Sequence, residues 1–398
     1  MTTYVTQPWL PDRERLNQYI DGIYSRKLLT NNGPLVQTFT ERLKEFLGVE
    51  HLLLVSNGTL ALQIAYRALG IHQTVNGKPA EAITTPFSFV ATASTLNWEG
   101  ITPVFCDIDP LNWCLDAERL GVLLTPQTKA IVPVHVFGNS CDVEKIDQFA
   151  RQHHLKVIYD GAHAFNVKYQ DRSLLNWGDA TTLSFHATKI FHSIEGGAVI
   201  FRNKEDLRKA RELINFGITG PEQIAGPGIN AKMNEFSAAM GLAMLDEIEQ
   251  NLTAREAAWQ CYQSALLPEV QQQQKHPAAT ANFAYLPVLL NSETQLLELV
   301  ERLKSIDVVA RRYFYPSLDS VAHLSNGVVC DVSRDIASRI LCLPIYPGLE
   351  KDIIAQISAQ VNAVCDSFAV TSVLIAIDSL SDDKQILQHT SIIFKHSA

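Results

Sequence analysis

The chain has 398 residues, of which 46% are hydrophobic and 19% are charged, and its formal net charge is −9. This composition is typical of a globular protein rather than of a disordered or fibrous one, and the length suffices for two structural units. The negative charge argues against nucleic acid or an anionic membrane as the main partner, because both carry negative charge themselves.

The cysteines and the chain ends indicate a cytoplasmic protein. Seven cysteines are scattered along the chain without a C-x-x-C pair, which favours free thiols over a disulfide framework or a zinc site. The N-terminal stretch has neither the basic segment nor the apolar run of a signal peptide. The apolar run 368–377 is too short to span a bilayer, so we expect no membrane association.

Strands and helices are predicted to alternate along the first half of the chain. Apolar strands separated by amphipathic helices are typical of a parallel sheet covered by helices on both faces. The predicted elements are helices at Asp12–Ser25 and Val36–Leu47, a strand at His51–Val55, a helix at Leu60–Leu69, a strand at Ala82–Thr85, a helix at Val90–Trp98, a strand at Pro103–Asp107, a helix at Asp116–Leu124, a strand at Ala130–Val136, a helix at Asp142–His154 and a strand at Lys156–Tyr159.

The second half of the chain predicts a second, smaller unit. Strands at Ala180–Leu183 and Ala198–Phe201 and helical sequence at 204–216 precede a long helical period, Asn234–Leu267, which we expect to connect two domains. The elements predicted beyond it are strands at Phe283–Leu290 and Val308–Phe314 and helices at Glu293–Ser305, Ser333–Ile340 and Ile353–Ser367. We therefore expect an N-terminal arm (1–34), a large domain (35–250), a small C-terminal domain (251–367) and a tail (368–398) whose position the sequence does not predict.

One segment, Ser184–Gly197, places a lysine between two predicted core strands. Lys189 lies there beside serine, threonine and a pair of glycines. A desolvated lysine loses its proton more easily, and the neutral amine can form a Schiff base with a carbonyl group. A lysine in a loop is more often solvated than catalytic, so this segment alone is only suggestive.

Three other segments also follow predicted strands, where open α/β sheets bind ligands. Ser56–Thr59 opens a helix, and its backbone amides, with Gly58 and the Thr59 hydroxyl, suit a phosphate group, although for this segment alone a simple helix N-cap is the better explanation. In Thr84–Thr92, either Phe87 or Phe89 can lie against an aromatic ligand or pack in the core.

The third segment, Tyr159–Phe165, ends a predicted buried strand with Asp160. A buried carboxylate requires a cation or several hydrogen-bond donors, and a protonated ring nitrogen meets that requirement. A capped turn at Asp160 and a core position for His163 are the simpler explanations. Together, a phosphate site, a stacking aromatic ring, a carboxylate and a Schiff-base lysine indicate pyridoxal 5′-phosphate (PLP).

These motifs resemble those of the DegT/DnrJ-type sugar-nucleotide aminotransferases, which belong to the aspartate aminotransferase (fold type I) class. The resemblance covers about Phe39 to Pro347. The segments that carry it are SNGTLAL, ITTPFSFVATA, PVFCDIDP, AIVPVHVFGN, VIYDGAHAF, LSFHATKIFHSIEGGAV and GPGINAKMNEFSAAMGLAML. The segments TNNGP, ARRYFYPSL and LCLPIYPGL are similar to the subgroup that acts on dTDP-4-keto-6-deoxyhexoses.

The resemblance implies a fold and a set of residue roles. The fold is α/β: a large domain with a mostly parallel seven-stranded sheet between helices, and a smaller C-terminal α/β domain. Lys189 is implied as the Schiff-base lysine and Asp160 as the partner of the pyridine nitrogen. The remaining implied cofactor contacts are Phe89 on the ring, His163 near the ring hydroxyl, Gly58, Thr59 and Ser184 at the phosphate, and Asn230 reaching the phosphate of the partner subunit in a homodimer with shared active sites. Gly161 stands where the family usually has alanine.

The resemblance also implies a reaction. An amino group passes from L-glutamate to a keto sugar nucleotide, in first place dTDP-4-keto-6-deoxy-D-glucose, to give dTDP-4-amino-4,6-dideoxy-D-glucose for O-antigen or other glycan synthesis. Amination of a 3-keto sugar nucleotide is the alternative, followed by a PLP-dependent sugar dehydratase, a group in which histidine replaces the lysine. A non-catalytic protein of this fold and a zinc hydrolase built on His163, His186 and His192 are further alternatives, but the histidine spacing suits no usual zinc site.

Arg311, Arg312 and Tyr313 form a basic and aromatic segment that suits the diphosphate and the sugar or base of a nucleotide sugar. A solvated basic strand end explains the two arginines equally well. The sequence offers no obvious arginine for the carboxylate of the amino donor.

Overall fold

The computed structural model describes residues 2–325 and 327–365, so the predicted tail at 368–398 lies outside the described residues. Within that part of the chain, no helix combines the length and the apolar character that crossing a membrane requires.

A seven-stranded sheet forms the centre of the molecule. Its strands are β1 (His51–Val55), β2 (Glu81–Thr84), β3 (Thr102–Phe105), β4 (Thr128–Val132), β5 (Lys156–Asp160), β6 (Ala180–Ser184) and β7 (Gly197–Phe201). They are arranged in the order β1-β7-β6-β5-β4-β2-β3. Strand β7 runs antiparallel to β1 and β6, whereas the other neighbours are parallel. The predicted mostly parallel seven-stranded sheet is therefore confirmed.

Helices cover both faces of this sheet. Those before and within the sheet region are α1 (Arg13–Arg26), α2 (Pro34–Leu47), α3 (Gly58–Ala68), α4 (Ala91–Trp98), α5 (Val143–His153), α6 (Lys204–Leu213) and α7 (Glu235–Asp246). Alternate residues of β1 point to opposite faces: Leu52 and Leu54 join the core beneath α2 and α5, and Leu53 and Val55 join the core beneath α3 and α6. Burial on both faces explains why these strands are almost continuously apolar.

One predicted helix differs in type. Residues Ala117–Leu123 form a 3₁₀ helix instead of the predicted α-helix. The Asp116 side chain accepts a hydrogen bond from the Glu118 amide, which starts the segment as a tight turn. The segment is only seven residues long and contains Gly121, so little favours extending it as an α-helix.

A smaller antiparallel sheet lies in the C-terminal part of the described chain. Its strands are β8 (Gln271–Gln272), β9 (Leu286–Leu289) and β10 (Ile340–Leu343), and the helices around it are α8 (Ile248–Ala265), α9 (Glu293–Ser305), α10 (Asp331–Arg339) and the helical residues 351–365. A separate apolar core joins α8, α9 and these strands. This core supports the proposed division of the chain near residue 250, which stays a prediction.

One strand in this region was not predicted, and one predicted strand was wrong. Strand β10 begins directly after α10, and no strand was predicted beyond the helix Ser333–Ile340. The strand expected over Val308–Phe314 is limited to Val308–Val309, which pairs with Thr3–Tyr4 in the N-terminal arm. Arg311 then makes a single bridge to Cys342.

The long helix predicted over Asn234–Leu267 is interrupted at Glu247, between α7 and α8. The Glu247 carboxylate accepts hydrogen bonds from Trp9 Nε1 at 3.0 Å and from the Asp12 amide at 2.8 Å. The helical period continues through the break, so the sequence pattern does not reveal it. The two hydrogen bonds to Glu247 anchor the start of α1, and with it the N-terminal arm, to the large domain.

Glu235 makes a second long-range cap, at the start of α2. Its fully buried carboxylate accepts hydrogen bonds from the Leu35 amide at 3.0 Å and the Val36 amide at 2.9 Å, and Arg26 lies 3.7 Å away. The carboxylate thus satisfies two helix-start amides whose hydrogen bonds no residue within α2 can supply.

Glu235→Ala is expected to lower the free energy of unfolding by about 2–4 kcal/mol, because two buried amides lose their acceptor. Urea denaturation of the variant and the wild type measures this loss. The matched control is Glu41→Ala, which removes an exposed carboxylate paired with Lys44 and should change stability by less than about 1 kcal/mol. Equal stability of the two variants would contradict the capping role.

Candidate active site

A cavity of about 460 Å³ lies at the carboxyl ends of the central strands. The residues after β1, β5 and β6 form its floor, because parallel strands end at the same edge of a sheet. The C-terminal part of the chain forms the facing wall with Tyr285, Arg311, Tyr313 and Phe314.

Lys189 lines this cavity from the turn between β6 and β7. Its backbone amide donates a hydrogen bond to the His186 carbonyl at 2.9 Å, which fixes the turn. Its Nζ lies 3.5 Å from the Tyr285 hydroxyl. Desolvation lowers the pKa of Lys189 to about 8; the nearby Asp160 carboxylate acts in the opposite direction, and the Arg311 charge adds to the lowering. An amine in this state is half deprotonated near pH 8, well below the ordinary lysine value.

Asp160 ends β5 with its carboxylate at the cavity floor, and only 7% of the residue is exposed. Thr92 Oγ1 donates a hydrogen bond to Oδ2 at 2.7 Å, and the Ala162 amide donates to Oδ1 at 3.1 Å. Ser88 Oγ lies 2.8 Å from Thr92 Oγ1 and, because the Thr92 proton is already engaged, the Ser88 hydroxyl is the donor in that pair. In the described part of the chain, no basic side chain forms an ion pair with Asp160 within 4 Å. The carboxylate therefore suits a cation inside the cavity.

The turn from β1 into α3 lines the opposite end of the cavity with Asn57, Gly58 and Thr59. The Asn57 side chain caps the Leu60 amide at 2.8 Å, but the Gly58 and Thr59 amides have no hydrogen-bond partner among the described residues. Free amides at a helix start bind anions. The turn packs so closely on Ser184 that a Cβ at Gly58 would lie 2.8 Å from the Ser184 Cβ, so glycine is required there.

The two phenylalanines of the segment after β2 have different environments. Phe87 is fully buried among Phe137 and Phe314 and is a core residue. Phe89 is 52% exposed and lines the cavity. Of the two candidates that the sequence offered, Phe89 is thus the one available to stack on a ligand.

His163 is buried in the cavity wall, beside the ring of Tyr285 at a centroid distance of 4.5 Å. Its Nδ1 accepts a hydrogen bond from the Phe137 amide at 3.2 Å, so a neutral ring carries its proton on Nε2. Burial and the nearby Lys189 charge hold the pKa of His163 well below its ordinary value. His163 is therefore a neutral hydrogen-bond donor toward the cavity.

The two arginines predicted to bind substrate diverge. Arg311 lines the cavity with Tyr313, whereas Arg312 lies outside it. The Arg312 guanidinium donates hydrogen bonds to Glu293 and to the Ser338 carbonyl, at 2.6 and 2.7 Å. The structure therefore brings Arg311, but not Arg312, to the cavity; Arg312 pairs with Glu293 at the start of α9.

Asn230 also lies outside the cavity of its own chain. It is exposed and pairs with Asn215 in an isolated β-bridge. A contact with the cofactor within the same chain is therefore not available to it. The expected contact with the partner subunit stays a prediction.

Sequence reasoning missed two cavity residues, Ser88 and Tyr285, and one residue behind the cavity wall, Thr92, which holds Asp160. Thr92 and Ser88 are four residues apart, which places them on one side of the turn into α4, but short hydroxyl residues are too common to signal a site. Tyr285 lies directly before β9, where its sequence resembles any buried aromatic residue. Its position beside Lys189 depends on how the small sheet packs.

These groups fit PLP. Its phosphate matches the free amides of Gly58 and Thr59, its ring nitrogen as a cation matches Asp160, and its aldehyde matches the amine of Lys189. Among the described residues, no three histidine, cysteine, aspartate or glutamate side chains are grouped as a metal site. The fold and the site together define a PLP-dependent enzyme of fold type I.

Comparison with known proteins gives the family. Residues 11–362 match the model of the DegT/DnrJ/EryC1/StrS aminotransferase family. A dTDP-4-amino-4,6-dideoxy-D-glucose transaminase of Shigella dysenteriae is 43% identical over 375 residues, which cover 91% of this chain and 98% of that protein. A transaminase of the same name from Escherichia coli is 36% identical and covers 90% and 97%. The chain belongs to the DegT/DnrJ/EryC1/StrS aminotransferase family and is a transaminase.

Solved structures agree with this assignment. DesI, solved in the presence of its TDP-sugar product, has a TM-score of 0.85 and 31% identity, with coverage of 93% of this chain and 95% of DesI. Helicobacter pylori PseC, an aminotransferase of pseudoaminic acid biosynthesis, has a TM-score of 0.83 and 27% identity, with coverage of 92% and 100%. The expected fold type I architecture is thereby confirmed.

The acidity of Lys189 can be measured without the cofactor. Competitive labelling of the apoenzyme with acetic anhydride, followed by mass spectrometry, should give Lys189 a midpoint of about 8, because the neutral amine reacts and its fraction rises with pH through that value. Asp160→Asn should move the midpoint lower, since the carboxylate holds the pKa up. A Lys189 midpoint at the ordinary lysine value of about 10.4 would contradict a desolvated amine.

Gly58→Ala is expected to weaken PLP binding at least about 10-fold, because the added methyl group forces the turn away from Ser184. Titration of the apoenzyme with PLP, followed by absorbance, gives the dissociation constant. Gly121→Ala is the control, since a Cβ there would make only an ordinary contact with Phe149 at 4.0 Å. If Gly58→Ala binds PLP as tightly as this control, the turn is not the phosphate site.

Proposed function

We propose that the chain transfers an amino group from L-glutamate to dTDP-4-keto-6-deoxy-D-glucose and forms dTDP-4-amino-4,6-dideoxy-D-glucose. The names of the two transaminases that are 43% and 36% identical over nearly their whole lengths support this substrate. The observation that carries the proposal is the grouping of Lys189, Asp160 and the Gly58–Thr59 turn in one cavity.

Lys189 is the group that moves protons. Its lowered pKa leaves a large fraction of the amine neutral near pH 8, so it can accept a proton from the donor carbon and return it to a neighbouring atom. The presence of a lysine at position 189 disfavours the dehydratase alternative, in which histidine takes the place of the lysine. The Tyr285 hydroxyl, 3.5 Å from Nζ, orients the amine when it is free.

Asp160 provides the electrostatic condition for the reaction. When bound, PLP accepts the electron pair released at the donor carbon, provided that its ring nitrogen is protonated. A buried carboxylate favours that protonated state. The Thr92 hydroxyl and the Ala162 amide keep the carboxylate in place, at 2.7 and 3.1 Å. Phe89 and His163 border the same space and restrict how a flat ligand can lie.

The assembly we propose is a homodimer with shared active sites in the cytoplasm. Asn230 is exposed, and four apolar residues near it in sequence are exposed as well. These residues are Phe216, Ile218, Ile224 and Ile229, with exposed fractions of 49%, 40%, 73% and 43%. An apolar surface of this kind is typical of a protein interface. A second subunit would cover it and could place Asn230 at the neighbouring phosphate site.

Incubation of the PLP-loaded protein with L-glutamate and dTDP-4-keto-6-deoxy-D-glucose should yield the 4-amino sugar nucleotide, identified by NMR. Lys189→Ala should lower the rate at least about 10⁴-fold, because it removes the group that transfers the proton. A Lys189→Ala enzyme with more than about one tenth of the wild-type rate would contradict the mechanism.

NMR analysis of this incubation and of a parallel one with the 3-keto isomer separates the alternatives. A 3-amino product from the 3-keto isomer alone would replace the proposed substrate while leaving the mechanism intact. A deoxy product without nitrogen would indicate the dehydratase. No product with any keto sugar nucleotide would contradict the proposed function as a whole.

A further inference from the structure

Arg311 is a cation in the cavity with no anion of the protein to balance it. Within the described residues, no carboxylate lies within 4 Å of its guanidinium, which instead lies over the Tyr313 ring at 4.2 Å from the centroid. The backbone is fixed on both sides, because the Arg311 amide donates to the Cys342 carbonyl at 3.2 Å and the Cys342 amide donates to the Arg311 carbonyl at 2.8 Å. The main chain at Arg311 is therefore fixed, and its side chain lies against Tyr313 at the cavity wall.

The neighbouring Arg312, unlike Arg311, has partners within the protein for its guanidinium. Its guanidinium is bound by Glu293 and the Ser338 carbonyl and stacks on Tyr315 at 3.7 Å. Its charge is thus satisfied within the protein. The charge of Arg311 remains available for a ligand.

Two tyrosines connect Arg311 to the reacting amine. The Tyr285 hydroxyl lies 3.5 Å from Lys189 Nζ, and the Tyr285 ring lies 5.7 Å from the ring of Tyr313, over which Arg311 is placed. The Arg311 charge also contributes to the lowered pKa of Lys189, after the larger effect of desolvation. Because all of these groups line one cavity, an anion bound to Arg311 is held close to the reacting amine.

Two substrate anions are candidates for binding Arg311, and they differ in their distance from the reacting carbon. The α-carboxylate of an amino acid is attached to the same carbon as its amino group. The diphosphate of a nucleotide sugar is attached to the anomeric carbon, across the ring from C4. An anion site beside the reacting amine therefore matches the carboxylate, and a planar guanidinium binds a carboxylate through two parallel hydrogen bonds.

We propose that Arg311 binds the α-carboxylate of the amino donor and of the keto acid formed from it. This proposal rests on the proposed function, because it assigns one of the two substrates of that reaction to a residue. It differs from the sequence-based expectation, which gave both arginines to the nucleotide sugar.

Transamination consists of two half-reactions that can be measured separately, and this allows a sharp test. In the first, the PLP form of Arg311→Gln is mixed with the α-amino acid that the wild type uses fastest among L-glutamate, L-glutamine, L-aspartate and L-alanine. In the second, the same PLP form is mixed with dTDP-4-amino-4,6-dideoxy-D-glucose, an amino donor without a carboxylate. Stopped-flow absorbance follows loss of the PLP band in both.

The amino acid half-reaction is expected to lose at least about 30-fold in kcat/KM, and the amino sugar half-reaction to change by less than about 3-fold. Arg311→Lys keeps the charge and should recover part of the loss. Arg302→Gln removes an exposed arginine of α9 paired with Glu298 and serves as the control, with both half-reactions unchanged.

A measurement on the apoenzyme is independent of turnover. Acetic anhydride labelling of Arg311→Gln should give Lys189 a higher midpoint than in the wild type, because a nearby positive charge has been removed. Arg302→Gln should leave the midpoint unchanged. An unchanged midpoint in Arg311→Gln would overturn the proximity on which the proposal depends.

The remaining outcomes are also decisive. Equal losses in both half-reactions, or a loss confined to the amino sugar, would overturn the proposal and assign Arg311 to the nucleotide sugar or to the cavity as a whole. A wild type that uses none of the four amino acids would overturn it too. If the wild type uses an amino acid but not the amino sugar nucleotide, the proposed sugar substrate fails, while the loss in the amino acid half-reaction still decides the role of Arg311.

Discussion

The site depends on one constraint: an amine and a carboxylate share a poorly solvated cavity without forming an ion pair. A contact ion pair would hold Lys189 in its charged form and end its use as a base. Instead, desolvation outweighs the attraction of Asp160, and the pKa of Lys189 falls to about 8. The strand register sets the spacing between Asp160 and Lys189. Asp160 ends β5 and is paired with Thr182 in the neighbouring β6. Strand β6 continues to Ser184, and the chain then turns before it reaches Lys189.

The antiparallel strand β7 joins the two halves of the site. Gly197, its first residue, is paired with Val55 on one side and Ser184 on the other. A Cβ at Gly197 would lie 2.7 Å from the Asn57 carbonyl, so only glycine allows the turn at Asn57 and Gly58 to approach this strand. Gly197 thus joins three elements at one point of the sheet: the turn after β1, strand β6, which leads to Lys189, and strand β7, which follows it.

The sequence predicted the parts of the site that depend on the large sheet and missed those that depend on packing elsewhere. Asp160, Lys189 and Gly58 were predictable because the ends of parallel strands meet at one edge. Arg311 and Arg312 are adjacent and chemically alike, and contacts far away in sequence distinguish them: Arg311 bridges to Cys342, and Arg312 pairs with Glu293. The break at Glu247 was invisible for a similar reason, since the partner of its carboxylate is Trp9, more than 200 residues away in sequence.

This division has a consequence for substrate choice. The groups that fit PLP come from the large sheet, where strand register fixes them. The opposite wall comes from the residues around Tyr285, Arg311 and Tyr313, which the small sheet positions through β9 and the bridge from Arg311 to Cys342. We therefore expect this wall to discriminate between substrates. A change there alters what enters the cavity and leaves the desolvated amine and its carboxylate in place.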